Sequence, residues 1–473
     1  LGNGACVVNS PLINFLKMSD LLIQHGRVID PVSGTDLHQS MLIRDGRIAA
    51  LGASAEAGAG PETTVLDASH LVICPGLIDI HVHFREPGQS AKETIGTGTR
   101  AAALGGFTTV VCMPNTTPAV DNPGTVALIQ DKVEKDALIR VHTTGAITRD
   151  IAGQALAPIG SLHEAGVVAI TDDGRCVQNH DLMRRACEYA KMFELPLMDH
   201  CQDESVVGKG VMHEGHWSNV LGLPAWPALG EEIIVSRNIQ LAELTGSHIH
   251  CQHMSSAGAV KLIREAKSKG IPISGEACPH HFTLTDAAIA GSEAFWEEAD
   301  PDWLSMIKMD YERPQWPAYD TLFKMNPPLR SKADREAVLQ GVADGTLEVI
   351  ASDHAPHCAY EKEREFDMAP FGITGLETQL ALGLTRLYHT GQLTLLELIR
   401  RWTSNPARLM RLEGGSLAVG SRADLCLFDP DEEWIYDRHQ TPSKASNNPF
   451  HGWPMKGRNR YTILEGKIVY QPS

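Results

Sequence analysis

Apolar and polar positions alternate with period two at both ends of the chain, and give way to longer blocks between them. Residues 19–72 read as short strands with tight turns: DLLIQHGRVID, SMLIRDGRIAALG and TTVLDAS, punctuated by Pro31, Gly34 and Asp45-Gly46. That alternation, broken by turn residues, predicts β-hairpins. The far end repeats it in GSRADLCLFDP, EEWIYD and RYTILEGKIVYQ. Two β-rich ends around a different middle predict one small β-domain built from residues 18–72 and 414–473.

The middle, residues 73–413, alternates differently. Strand-like apolar runs fall at 77–83, 107–113, 139–147, 167–171, 195–201, 248–254, 271–278 and 347–353. Helix-like stretches lie between most of them, such as DLMRRACEYAKMFE at 181–194 and SAGAVKLIREAKS at 256–268. Strand–helix alternation implies a parallel sheet, and eight repeats fit a closed (β/α)₈ barrel. The alternative is an open doubly wound sheet, which the missing Gly-rich fingerprint after the first strand disfavours. An insertion at 282–330, rich in Trp, Pro and acids, separates strands seven and eight; it reads either as a lid over the barrel face or as a surface excursion. Residues 1–17 precede Met18 and read as an extension outside the fold.

The composition removes several functions. The chain has 473 residues, with 43% hydrophobic and 21% charged positions, ordinary for a folded protein. No apolar run approaches the roughly 18 residues of a membrane span. A net charge of −17 disfavours nucleic acid as a partner. The ten cysteines include no CxxC pair, which argues against a zinc ribbon and is consistent with reduced thiols in a cytoplasmic protein.

The chemistry gathers at the predicted strand ends. The first ends in His81-Val82-His83, whose i, i+2 spacing turns both imidazoles to one face. Strand four ends in Asp172-Asp173, strand five in Asp199-His200, strand six in His250-Cys251-Gln252-His253, and strand eight in Asp353-His354. One such Asp is ordinarily a turn or helix cap. Five ends carrying His or Asp, meeting at one barrel face, point instead to metal chemistry, with zinc as the ion these ligands suit.

Taken together, PGLIDIHVHFREPG, VVCMPNTTP, TDDG, DHCQD, MNPPLR and SDHAPH resemble the dihydroorotases of the amidohydrolase superfamily, over a span from about residue 19 to the C-terminus. The resemblance implies a (β/α)₈ barrel with a small β-sandwich. It also implies two zinc ions per subunit, held by His81, His83, Asp173, His200, His253 and Asp353, with Asp173 bridging. Many superfamily members bridge with a carboxylated lysine, but no Lys lies between Val167 and Cys176. Asp172 competes with Asp173 for this role. His248 and His250 compete with His253, which is favoured by its place at the strand end. His280 and His281 receive no ligand role.

The same resemblance implies substrate contacts from His83, Arg85, Asn115, Asn326, His357 and the Phe371-Gly372 backbone. A guanidinium at Arg85 suits a carboxylate, so an anionic small molecule is compatible with an acidic chain. Zinc lowers the pKa of water and polarises a carbonyl. Asp353 is then the expected proton carrier, first base and then acid. The expected reaction is reversible exchange of dihydroorotate with N-carbamoyl-L-aspartate in pyrimidine biosynthesis. An allantoinase or hydantoinase is the nearest alternative, and a ligand-poor scaffold for aspartate transcarbamoylase is a more distant one. A homodimer, with association to a transcarbamoylase also open, completes the expectation.

Overall fold

The computed structural model describes residues 20–298 and 302–472, so the 1–17 extension lies outside the described residues. The two ends of the chain do pair. A six-stranded sheet runs in the order Lys467–Tyr470, Pro454–Leu464, Leu425–Ile435, Val72–Pro75, Arg27–Asp30, Thr35–His38. A four-stranded sheet runs Arg47–Leu51, Met41–Arg44, Leu21–Gln24, Thr64–Asp67. The alternating apolar positions of both meet in one cluster that includes Ile23, Val28, Ile43, Ile73, Leu425 and Ile463. The 72/73 boundary expected from the sequence falls inside a strand. Val72–Pro75 pairs with Leu425–Phe428, and the chain leaves that sheet only at Gly76. Gly76 is needed there, because a Cβ would meet the Thr108 side chain at 2.1 Å.

The middle is parallel. Leu77–Val82 pairs with Phe107–Cys112, which pairs with Arg140–Thr143. Leu197–Asp199, Ile249–Cys251, Ile273–Ala277 and Val349–Ile350 pair in that order. The strand expected at 167–171 is reduced to single bridges, Ile170 with Gly145 on one side and with Leu197 on the other. Its backbone is nonetheless bonded on both sides, Thr171 N to Gly145 O at 2.9 Å and Ile170 N to Pro196 O at 3.1 Å. At the other edge Val82 bridges His354, and His83 N donates to His354 O at 2.9 Å.

Helices fill the connections where caps start them. Asn122, followed by Pro123, opens Pro123–Asp136 by accepting from Thr125 N at 3.1 Å. Asn179 and Ser256 do the same for His180–Lys191 and Ala257–Ser268. The described residues of the 282–330 insertion are packed rather than free. Phe295, Trp296, Trp303 and Phe323 join Trp453 and Phe450 of the C-terminal segment in one cluster, and Trp303 stacks on Trp453 with ring centres 6.0 Å apart. Among the described residues no helix is long and apolar enough to cross a membrane.

Candidate functional site

The five predicted strand ends that carry His or Asp each deliver a side chain to one cluster. Asp173 lies at its centre. Its Oδ1 is 3.2 Å from His81 Nε2 and 3.7 Å from His200 Nδ1, and its Oδ2 is 3.4 Å from His83 Nε2. Asp353 Oδ1 faces the same pair, 3.0 Å from His83 Nε2 and 3.5 Å from His81 Nε2. His200 Nδ1 lies 2.8 Å from His253 Nε2. All six residues are buried.

The backbone is bent to achieve this. His253 and Asp353 hold φ of 35° and 46°, and nearby Arg85 holds 61°, values that side-chain-bearing residues seldom adopt. Such conformations persist only where surrounding contacts enforce them.

The electrostatics are those of a cluster short of positive charge. Burial alone would raise the Asp173 pKa, but His81 and its neighbouring imidazoles hold it well below the usual carboxylate range. Burial opposes a proton on His81, yet Asp173, Glu276 and Asp353 raise its pKa well above that of a free imidazole. Three buried atoms of these residues, His81 Nε2, Asp173 Oδ1 and His253 Nδ1, have no hydrogen-bond partner. Unpaired buried polar atoms are costly, and they fit a cation. Two overlapping sets offer ligand atoms within 4.8 Å of one another: His81, His83 and Asp353, and His81, Asp173 and His253. An imidazole and carboxylate donor set of this kind can hold divalent ions such as zinc.

The competing residues are committed elsewhere. Asp172 accepts from the backbone of Ile147 at 2.8 Å and of Thr148 at 2.9 Å, and from the Thr148 hydroxyl. Burial pushes its carboxyl up to about 6. His250 spends Nδ1 on Ser274 Oγ at 2.8 Å and Nε2 on Glu276 Oε2 at 3.1 Å. His248 bonds the same serine. His280 and His281 fall into a separate group with Cys278.

The expected substrate residues surround the cluster, but several are already bonded to protein. Asn115 Oδ1 faces His83 Nδ1 at 2.9 Å, and its Nδ2 donates to Asp173 Oδ2 at 3.2 Å, so this amide orients the cluster itself. Asn326 Nδ2 donates to Gln202 Oε1 at 3.2 Å, and Gln202 in turn meets His200 Nε2 at 3.0 Å. His357 Nε2 donates to Phe371 O at 2.8 Å. Gly372 N donates to Lys324 O at 3.0 Å. Half-buried Arg85 donates Nε to Pro356 O at 3.3 Å; burial lowers its pKa, while nearby Asp353 and Asp173 oppose that.

Sequence reasoning missed three groups. Glu276 Oε1 sits 2.6 Å from His81 Nδ1 and accepts from His253 N at 3.1 Å. Gln252 Nε2 lies 3.3 Å from His81 Nδ1. Asn447 straps the rim: its Nδ2 donates to Ala355 O and Gly372 O, both at 3.1 Å, and its Oδ1 accepts from His357 N at 3.1 Å.

A "Dihydro-orotase-like" family profile matches residues 70–259, and an "Amidohydrolase family" profile matches residues 366–470. A dihydroorotase of Pelotomaculum thermopropionicum is 47% identical over 95% of this chain and 98% of its own. One of Citrifermentans bemidjiense is 45% identical over 96% of this chain and 100% of its own. The chain belongs to the dihydroorotase family. It is therefore an enzyme of the hydrolase class, within the amidohydrolases. Among solved structures, the L-hydantoinase (dihydropyrimidinase) of Arthrobacter aurescens superposes with a TM-score of 0.80 at 21% identity, covering 96% of each chain. The dihydropyrimidinase of Brevibacillus agri gives 0.79 at 22% identity, covering 96% of this chain and 95% of its own. At that identity the likeness speaks for the fold alone.

Proposed function

We propose that the protein interconverts (S)-dihydroorotate and N-carbamoyl-L-aspartate, as a dihydroorotase of pyrimidine biosynthesis, at a centre where Asp173 and the histidines around it would hold two zinc ions. The observation that carries this reading is the placement of Asp173, each of whose oxygens faces a different imidazole of the His81/His83 pair, with His200 beyond. The same reading takes the parallel strand pairings and the Ile170 and Val82 bridges as a closed (β/α)₈ barrel, and the two terminal sheets as one β-sandwich.

His81, His83 and Asp353 would hold one ion, and His200 and His253 the other. When bound, such ions polarise an amide carbonyl and lower the pKa of water. Everything else falls to the chain. Asp353 takes the proton of the attacking water, then delivers it to the ring nitrogen as the amide bond breaks. In reverse, the ureido nitrogen attacks the side-chain carboxyl, Asp353 receives the nitrogen's proton, and water leaves. Arg85 clamps the ring carboxylate, while Asn115 keeps the His83 ring fixed through Nδ1. His357, tied to Phe371 and Asn447, holds the rim of the pocket in register.

The name hydantoinase on the structural neighbours defines the rival substrate class. The absence of Lys between Val167 and Cys176, and Arg85 beside the cluster, favour the carboxylated ring. Turnover of dihydroorotate, allantoin and hydantoin, with metal analysis on the same sample, tests this. The expected result is turnover of dihydroorotate alone, with no fewer than about two zinc ions per chain. Preference for hydantoin, or full activity in metal-free protein, would overturn the reading.

A further inference from the structure

We propose that Cys278, His280 and His281 form a separate metal site, which takes one zinc ion through a thiolate and two imidazoles. The three follow directly on the strand Ile273–Ala277, and each offers a ligand atom within 4.8 Å of the other two. All three are buried. The two rings lie with centres 4.3 Å apart.

Two nitrogens in this group are orphaned: His280 Nε2 and His281 Nδ1 have no hydrogen-bond partner. His281 also shows how its free nitrogen is prepared. Its Nε2 lies 3.0 Å from Pro327 O, an acceptor only, so Nε2 carries the proton and Nδ1 is left with a lone pair. A metal-binding histidine is ordinarily fixed this way, with its second nitrogen donating to a carbonyl or carboxylate. Burial holds His281 down to about 4, so the ring is neutral as ligation requires. Burial also pushes the Cys278 thiol well up; a coordinated ion would reverse this, since a coordinating thiol is deprotonated outright. Binding therefore exchanges one divalent ion for one proton released to solvent.

The donor set decides the class of ion. Thiolate with imidazole favours zinc over magnesium or calcium. It also separates this site from the cluster around Asp173, whose six proposed ligands contain no sulfur. The inference therefore stands apart from the two-metal reading.

Cobalt(II) makes the distinction visible. Metal-free protein, kept reduced, is titrated with cobalt(II) and followed by absorption. The expected result is a thiolate-to-cobalt charge-transfer band in the near ultraviolet, saturating at one equivalent per chain. Cys278→Ala should abolish it and leave the visible bands of cobalt bound by imidazole and carboxylate. Zinc counted by native mass spectrometry should fall by one ion in Cys278→Ala and in His281→Gln. Absence of the charge-transfer band in the saturated parent protein overturns the proposal without any variant. Its persistence in Cys278→Ala overturns it equally. If Cys278→Ala does not fold, the parent titration and His281→Gln, which must weaken the band, decide the matter. Loss of the visible bands with the ultraviolet band kept would count against the two-metal reading alone.

Discussion

Glu276 grips His81 from behind: its Oε1 lies 2.6 Å from His81 Nδ1, while its Oε2 lies 3.1 Å from His250 Nε2. A carboxylate on Nδ1 fixes the tautomer in which His81 Nε2 has its lone pair directed at Asp173 and Asp353. His81 raises the stakes of that contact, since Glu276 is held at about 2 despite burial that pushes the other way.

Glu276→Gln should therefore weaken metal binding roughly 10–100-fold, the usual cost of losing such a partner. Competition with a chelator at fixed pH measures it. Unchanged metal affinity would mean that Glu276 serves packing only.

Asp353→Asn keeps size and one oxygen but cannot carry a proton. Hydrolysis should fall roughly 10²–10⁴-fold while bound metal is largely retained. A near-parental rate with metal present would move the proton carrier to another residue. In the parent protein, hydrolysis should rise with pH and cyclisation should rise as pH falls. Hydrolysis needs the coupled unit of Asp353 and the attacking water deprotonated, while cyclisation takes up one proton overall, because a carboxylate is converted to an amide and water.

Arg85→Met removes the proposed carboxylate clamp and leaves the cluster ligands in place. KM for dihydroorotate should rise by roughly one to two orders of magnitude, the scale of a charge-assisted hydrogen-bond pair. Zinc content should stay constant, and a parallel loss of metal would show that Arg85 supports the cluster instead.

Glu377 lies outside the site and offers a pH test of stability. Burial raises it from 4.5 to about 7, against hydroxyls of Thr441 and Tyr436 that lower it. The folded state thus keeps a proton that the unfolded chain releases between those values. Stability falls as pH rises from about 4.5 to about 7, and the deficit is complete above that window. Glu377→Gln should raise Tm relative to the parent at pH 8, with the gain disappearing near pH 4, as read by calorimetry at several pH values. A gain independent of pH would contradict a titrating Glu377.

The strand ends that supply the six clustered residues were legible because period two and strand ends are local properties, while the choice among neighbouring residues came from the family resemblance. His81-Val82-His83 fixes a shared face within three residues. The choice of Asp173 over Asp172 was not local, since it depends on Asp172 being claimed by Ile147 and Thr148 across a turn. Glu276 was invisible for a similar reason: it meets His81 across 195 residues, and no short pattern encodes that contact. The strand at 167–171 kept its apolar run but little of its ladder, because only Ile170 pairs on both sides. The insertion's packing was also hidden, since its tryptophans find their partners in Trp453 and Phe450 near the far end of the chain.

The strap at Asn447 carries a consequence for synthesis. It fastens Gly372 from 75 residues downstream and His357 from 90. While the polypeptide is being made, the strand-end residues can assemble well before Asn447 has been added. The pocket rim then stays unlatched until translation has passed that point. A nascent chain halted between Gly372 and Asn447 would carry every proposed zinc ligand yet lack the fastening that holds His357 and the Gly372 backbone in place.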